Sequence, residues 1–362
     1  MRKKVLIIDD SALMRRLLSD IINSDEQFEA ADIAENGLEG LKLLQSGKTY
    51  DVILLDIYMP VMDGIEFLEK KGSVTDTPVL IVSNLAKEGG KETIHALELG
   101  AIDFLTKPDN LADVSSDNFR RKLFRLLRGI LEVSKNPARK NVDRTPADKD
   151  GKSGVVSANR KIMHSTEGAS KLVALACSTG GPKALQDVIP MLPAKLDAPM
   201  LLVQHMPKGF TASLAARLNE LSKIHVKEAE DGEVLRKGTV YIAKGGCQMR
   251  VVADAAKYTH SLSLTKEAAR NGLKPCADIM YESLVTCAFD TITCVVMTGM
   301  GADGTQGIQR LKDNHTIYTI AQDKDTCTVY GMPKNIIERG LADEVVPLEK
   351  IAGAITKHVG VR

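Results

Sequence analysis

Short apolar runs recur down the first 107 residues, each ending in a polar or charged residue, with helical segments between them. "KVLIID", "FEAADIA", "YDVILLD", "TPVLIVS" and "AIDFLTK" read as strands. "SALMRRLLSDIINS", "NGLEGLKLLQSG", "DGIEFLEKKG" and "GKETIHALELG" have helical periodicity, and a further amphipathic helix follows over "SSDNFRRKLFRLLRGILEV". Five strands alternating with five helices, a (βα)5 pattern, predict one parallel sheet with helices on both faces. Such a sheet places its chemistry beyond the carboxyl ends of the strands.

The pattern breaks near residue 135, where a stretch poor in large apolar residues begins. Residues 134–167 read as a flexible linker, since a structureless segment of that length is uncommon inside a compact domain. A second α/β block follows over 168–362. Its runs predict a doubly wound, mostly parallel sheet, with an antiparallel hairpin at one edge over about 239–266. A chain of 362 residues suits two domains, 1–133 and 168–362.

Composition excludes several function classes. The net charge is +1, so the whole chain offers no argument for nucleic acid or anionic membrane. No apolar run approaches the roughly 20 residues of a membrane span. The opening "MRKKVLIIDDSALMRR" resembles a signal sequence only until Asp9-Asp10 interrupts it, so a cytoplasmic protein is expected. The six cysteines form no CxxC pair and most lie in apolar segments, which predicts buried thiols in a reducing compartment.

Five residues of the first block gather at one sheet edge. The first strand ends in Asp9-Asp10, the third in Asp56, the fourth in Ser83 and the fifth in Lys107. Three carboxylates at one point repel each other unless a cation sits among them, and a hard divalent ion such as Mg2+ answers that need. The added hydroxyl and ammonium suit an anion held beside the metal. "LIIDDS", "ILLDIYMPVMDG", "VLIVS" and "DFLTKP" resemble the signature runs of flavodoxin-like response-regulator receiver domains, over about residues 1–125. The resemblance implies Asp56 as phosphoacceptor, with Asp9 and Asp10 joining it around Mg2+. It implies that Ser83 and Lys107 contact the phosphoryl oxygens and that Phe104 changes rotamer on activation. It also implies a cis bond before Pro108.

The second block opens with "LVALACSTGGPKAL", residues 172–185, an apolar run, a glycine turn and a helix. The turn lacks both GxGxxG and GK[ST] spacing, which weakens a nucleotide-binding reading. A strand-to-helix turn also exposes a nucleophile well, and "ACSTG" matches the GxSxG elbow in part, making Ser178 the candidate. A serine needs a base. Of the seven histidines, His205 in "VQHMPKGF" ends a buried strand where a loop opens at the same edge. An orienting carboxylate is offered by Asp303 in "MTGMGADG" and by Asp323 and Asp325 in "AQDKDT"; spacing does not choose among them. The order Ser, His, Asp differs from that of α/β-hydrolases.

"ACSTGGP", "QHMPKGFTASLAARL", "VMTGMGADG" and "YGMPKNI" resemble the effector domain of chemotaxis protein-glutamate methylesterases, the CheB family, over about residues 168–360. The resemblance implies Ser178 as nucleophile, His205 as general base and acid, and Asp303 as orienter. It implies that Thr179 and the backbone around Met300 position substrate or stabilise the oxyanion. Where the family's turn reads G-A-S-T-G-G, this chain has Ala176-Cys177 in place of Gly-Ala.

The implied activity is phosphorylation-activated hydrolysis of glutamyl methyl esters, with no cofactor in the esterase. The same chemistry would serve glutamine deamidation. The implied partners are methyl-accepting chemotaxis receptors as substrate and a chemotaxis histidine kinase as phosphodonor. No nucleic-acid partner and no membrane insertion are expected, and a monomer is the default. Two rivals are a catalytically weak docking module, supported by Ala176-Cys177, and a DNA-binding regulator, which the strand-rich second block disfavours.

Overall fold

The computed structural model describes residues 1–83, 85–108, 117–134, 170–254 and 259–362. The expected linker lies, from residue 135 on, outside the described residues.

The N-terminal unit is the expected five-stranded parallel sheet. Its strands are β1 (Lys3–Ile8), β2 (Phe28–Ala34), β3 (Val52–Leu55), β4 (Val79–Ser83) and β5 (Asp103–Thr106), in the order β2-β1-β3-β4-β5. β1, β3 and β4 are almost continuous aliphatic runs because both faces are covered. The helices are α1 (Ala12–Asn23), α2 (Gly37–Gln45), α3 (Gly64–Lys71), α4 (Leu85–Glu98) and α5 (Asp117–Ser134). Short polar residues begin three of them: Ser11, Asn36 and Asp63 each accept a backbone N–H from the first turn. The strand order reverses between β1 and β3, which brings the loops carrying Asp9 and Asp56 side by side.

The C-terminal unit is a seven-stranded parallel sheet. In chain order its elements are β6 (Lys171–Cys177), α6 (Gly181–Val188), β7 (Met200–Gln204), α7 (Phe210–Leu221), β8 (His225–Glu228) and β9 (Thr239–Ile242). These are followed by β10 (Gln248–Asp254), β11 (Thr259–Thr265), α8 (Ala277–Ser283), β12 (Thr291–Val296), α9 (Thr305–Asn314), β13 (Ile317–Gln322), α10 (Gly331–Glu338), β14 (Glu344–Val346) and α11 (Leu348–Val359). The order is β14-β13-β12-β6-β7-β9-β8, so β6 lies between β7 and β12, where the winding reverses.

The hairpin exists but not at the sheet edge: β10 and β11 form a separate two-stranded antiparallel sheet, and β9 belongs to the parallel sheet between β7 and β8. Neighbouring short strands in sequence need not pair, and β9 buries all four of its residues in the main sheet. The Lys107–Pro108 bond is not cis; the cis bond among the described residues is Lys274–Pro275. An X–Pro bond has so small a trans preference that its isomer follows from tertiary context.

The two units share apolar packing. One buried cluster runs from Ile53, Ile81 and Phe104 of the first sheet to Leu202, Phe210 and Leu214 of the second unit. Phe104 and Phe210 touch directly, with ring centroids 4.4 Å apart and planes at 43°. Arg217 Nε on α7 donates to Glu98 Oε1 on α4 at 2.6 Å. Among the described residues no helix is long and apolar enough to cross a membrane.

Candidate active site and phosphoacceptor pocket

Ser178, His205 and Asp303 come from loops that leave the carboxyl ends of three adjacent strands, β6, β7 and β12. Ser178 begins the tight turn into α6, closed by Gly181 N donating to Ser178 O at 2.7 Å. Gly180 takes φ 76°, and a Cβ there would collide with Thr328, so the turn requires glycine on both counts. Ser178 is half-buried, and a Cβ at Gly299 would come within 2.9 Å of its own Cβ.

His205 Nε2 lies 2.7 Å from Asp303 Oδ2. Asp323, one of the alternatives, accepts instead from Thr326 N and Oγ1. Asp303 also accepts from Ala277 N at 2.6 Å, Asp278 N at 3.0 Å and Cys276 Sγ at 3.1 Å. Burial alone would push its carboxyl up. The hydrogen bond and charge of His205, with the two backbone N–H groups, outweigh burial and hold it well below the usual carboxylate range. Since Asp303 takes the Nε2 proton, the lone pair of a neutral imidazole sits on Nδ1.

Cys276 and Asp278 were not legible as site residues. Asp278 is buried, accepts from Gly307 N at 2.7 Å, and is pushed up to about 6, chiefly by burial. It braces the loop that presents Asp303. Cys276, Asp278 and Asp303 crowd closely enough to suggest a cation, but four donors already occupy Asp303.

Ser178, Thr179 and His205 line a cavity of about 380 Å³ whose opposite wall is the N-terminal unit, including Asp103, Phe104, Lys107 and Arg125. Thr179, 2 % exposed, is hydrogen-bonded to Asp103, whose carboxyl burial pushes up and that bond opposes. Met300 lies against α5, close enough to leave no room for a Cβ at Gly129. The mouth of the serine site is therefore covered by β5 and α5.

The acidic pocket is equally well assembled. Lys107 Nζ lies 2.6 Å from Asp56 Oδ2 and 2.8 Å from Asp9 Oδ2. Burial pushes Asp56 up to about 6 and raises Asp9 as well, against the opposing pull of Lys107. Burial disfavours the Lys107 ammonium, but the two carboxylates outweigh it and push its pKa up. Oxygens of Asp9, Asp10 and Asp56 lie within 4.8 Å of one another, two of the three residues buried. One ammonium against three carboxylates leaves an excess of negative charge with hard oxygen donors, which fits a divalent ion such as Mg2+. Ser83 is buried at the same edge, and its carbonyl accepts from Lys107 N at 2.7 Å.

Residues 173–355 match the model of the CheB methylesterase family and residues 5–116 that of the response regulator receiver domain. The chain belongs to the CheB methylesterase family. It is 43% identical to the protein-glutamate methylesterase/protein-glutamine glutaminase of Halalkalibacterium halodurans, covering 99% of this chain and 98% of that one. It is 40% identical to the protein of the same name from Bacillus subtilis, with 98% of each covered. The Thermotoga maritima CheB methylesterase catalytic domain, a crystal structure, shows 41% identity and a TM-score of 0.49, covering 52% of this chain and 97% of that one. The N-terminal unit of this CheB-family chain is thus a receiver domain, and the C-terminal unit is the methylesterase domain.

Proposed function

We propose that the chain is a phosphorylation-activated protein-glutamate methylesterase acting on chemoreceptors through Ser178, His205 and Asp303. The observation that carries this reading is that Ser178 and His205 line one cavity while His205 Nε2 is held 2.7 Å from Asp303 Oδ2. Ser178 Oγ attacks the glutamyl ester carbonyl as its proton passes to His205 Nδ1. The imidazolium, stabilised by Asp303, then protonates the departing methoxide, and methanol leaves. Water adds to the acyl-enzyme by the reverse proton transfers, which frees the receptor's glutamate side-chain carboxylate and restores the Ser178 hydroxyl. A glutamine amide enters the same sequence with ammonia as leaving group, so deamidation belongs to the same site. Thr179 and the backbone at Met300 are assigned to substrate positioning and the oxyanion.

The receiver acts as a cover in this reading. Asp56 accepts a phosphoryl group from a chemotaxis histidine kinase; Ser83 and Lys107 bind its oxygens. Asp9, Asp10 and Asp56 would hold Mg2+, which when bound supplies positive charge against the phosphoryl oxygens. Phe104 packs against Phe210 of the other unit, so a change of its rotamer disturbs the interface directly. The proposed division is a receiver over 1–133, a linker over 134–167 and an effector over 168–362, in a monomeric, cytoplasmic protein with neither a nucleic-acid partner nor a cofactor in the esterase.

Methanol release from methylated receptor membranes, with and without a small-molecule phosphodonor and Mg2+, tests the whole reading. Release that rises with phosphodonor supports it. Release indifferent to phosphodonor removes the switch, and no release in either condition overturns the esterase.

A further inference from the structure

The turn carrying Ser178 and the loop carrying His205 are tied together by a side chain that is neither nucleophile nor base. Gln204 ends β7 and is 2 % exposed. Its Nε2 donates to Ser178 O at 3.0 Å and to His205 O at 3.3 Å. Its Oε1 accepts from Cys177 Sγ at 3.0 Å. These partners determine which end of the amide is which. Carbonyls only accept, so the amide NH2 must face them; the fully buried Cys177 thiol is pushed far up by burial, stays protonated and donates. A Cβ at Gly181 would strike Gln204 Oε1, so α6 begins in direct contact with the amide.

Strand pairing explains why such a link is needed. Cys177 and Gln204 are the last register partners of β6 and β7, and His205 N still reaches Cys177 O at 3.2 Å. Beyond that point the chains diverge into a helical turn and a loop. The amide of Gln204 spans the gap where the backbone ladder stops.

We propose that Gln204 is the positioning residue that sets Ser178 against His205, and that Cys177 assists by locking the Gln204 amide. This rests on the reading of Ser178 and His205 as nucleophile and base. One rigid, fully bonded amide then governs the separation of two groups carried on different strands. Cys177 thereby acquires a structural role, because its proton is engaged by Gln204 and the bulk it adds beside the serine is part of the support.

The test uses the full chain with phosphodonor and Mg2+. Three quantities are measured: kcat and KM for methanol release, the rate at which a fluorophosphonate modifies Ser178, and the melting temperature. Gln204→Met keeps the size and removes both donors. It is expected to lower kcat about 100-fold, because a small misplacement of reacting groups has that effect. KM should stay within about twofold, and the modification rate should fall with kcat. Cys177→Ala removes the locking donor and is expected to lower kcat about three- to tenfold, the size of one hydrogen bond. Cys177→Ser keeps a donor and should lose less. Gln204→Met with the parent kcat, or with a lower melting temperature as its only change, would overturn the proposal. If Gln204→Met does not fold, the cysteine pair decides, and equal kcat for Ala and Ser overturns it. A parent protein that reacts with the fluorophosphonate but releases no methanol would refute the esterase reading alone, while the modification rates still judge Gln204.

Discussion

Truncating Phe104 should open the serine site without any phosphoryl group. Its ring lies 4.4 Å from that of Phe210, and the two side chains are 8 % and 1 % exposed. Complete burial of a phenylalanine is worth about 1.5–3 kcal/mol, of which the face turned to the effector domain claims a part. An aromatic pair in contact adds about 0.5–1.5 kcal/mol. Phe104→Ala therefore weakens closure by about 2 kcal/mol, a factor of about 30 in the closed-to-open ratio. In the unphosphorylated chain the rate follows the open fraction. Basal methanol release should rise about 30-fold, or to the phosphorylated rate where that ceiling comes first. Phe210→Ala attacks the same contact from the other domain and should act alike. The double variant should gain less than the product of the singles, since both remove one interaction. A basal rate within about twofold of the parent in both single variants would refute the argument, because the pair would then contribute nothing to closure.

Four further outcomes are expected. Ser178→Ala abolishes methanol release and leaves phosphorylation of Asp56 intact, as a phosphorylation gel and a methanol assay together will show. Asp303→Asn lowers kcat about 10⁴-fold by releasing the imidazole tautomer, and methanol release at the parent rate would contradict this. Gly299→Ala places a methyl group 2.9 Å from Ser178 Cβ and should cut kcat about 100-fold in the phosphorylated enzyme. Arg217→Ala removes the ion pair to Glu98, but the Arg217 side chain is 39% exposed, so solvent screening limits the gain in basal rate to about two- to fivefold.

Much of the site was legible because strand ends carry it. Asp9, Asp10, Asp56, Lys107, Ser178 and His205 each interrupt an apolar run at the residue where a parallel strand stops. Spacing left Asp303 one of three candidates with Asp323 and Asp325; the family resemblance pointed to Asp303, whose carboxylate lies 2.7 Å from His205 Nε2. Cys276 and Asp278 left no comparable mark, and Gln204, although it ends the apolar run of β7, is not of a type that singles it out beside His205. Each looks like an ordinary core or cap residue until the fold places it against Ser178, His205 or Asp303. The hairpin was recognised from its run of short strands, but its detachment from the main sheet was not, since pairing partners are chosen by what each face buries. β14 is three residues long and declares itself only by pairing with β13.

By itself the sequence determined two parallel α/β units, the edges at which their chemistry lies and the kinds of residue found there. Local alternation and the ends of apolar runs contain that much, because they report burial along a strand. Only the tertiary structure decided that Phe104 meets Phe210, that Asp103 meets Thr179 and that one cavity is walled by both domains. Those contacts join residues about 75 to 105 positions apart, and no periodic pattern along a chain encodes the docking of one folded surface on another.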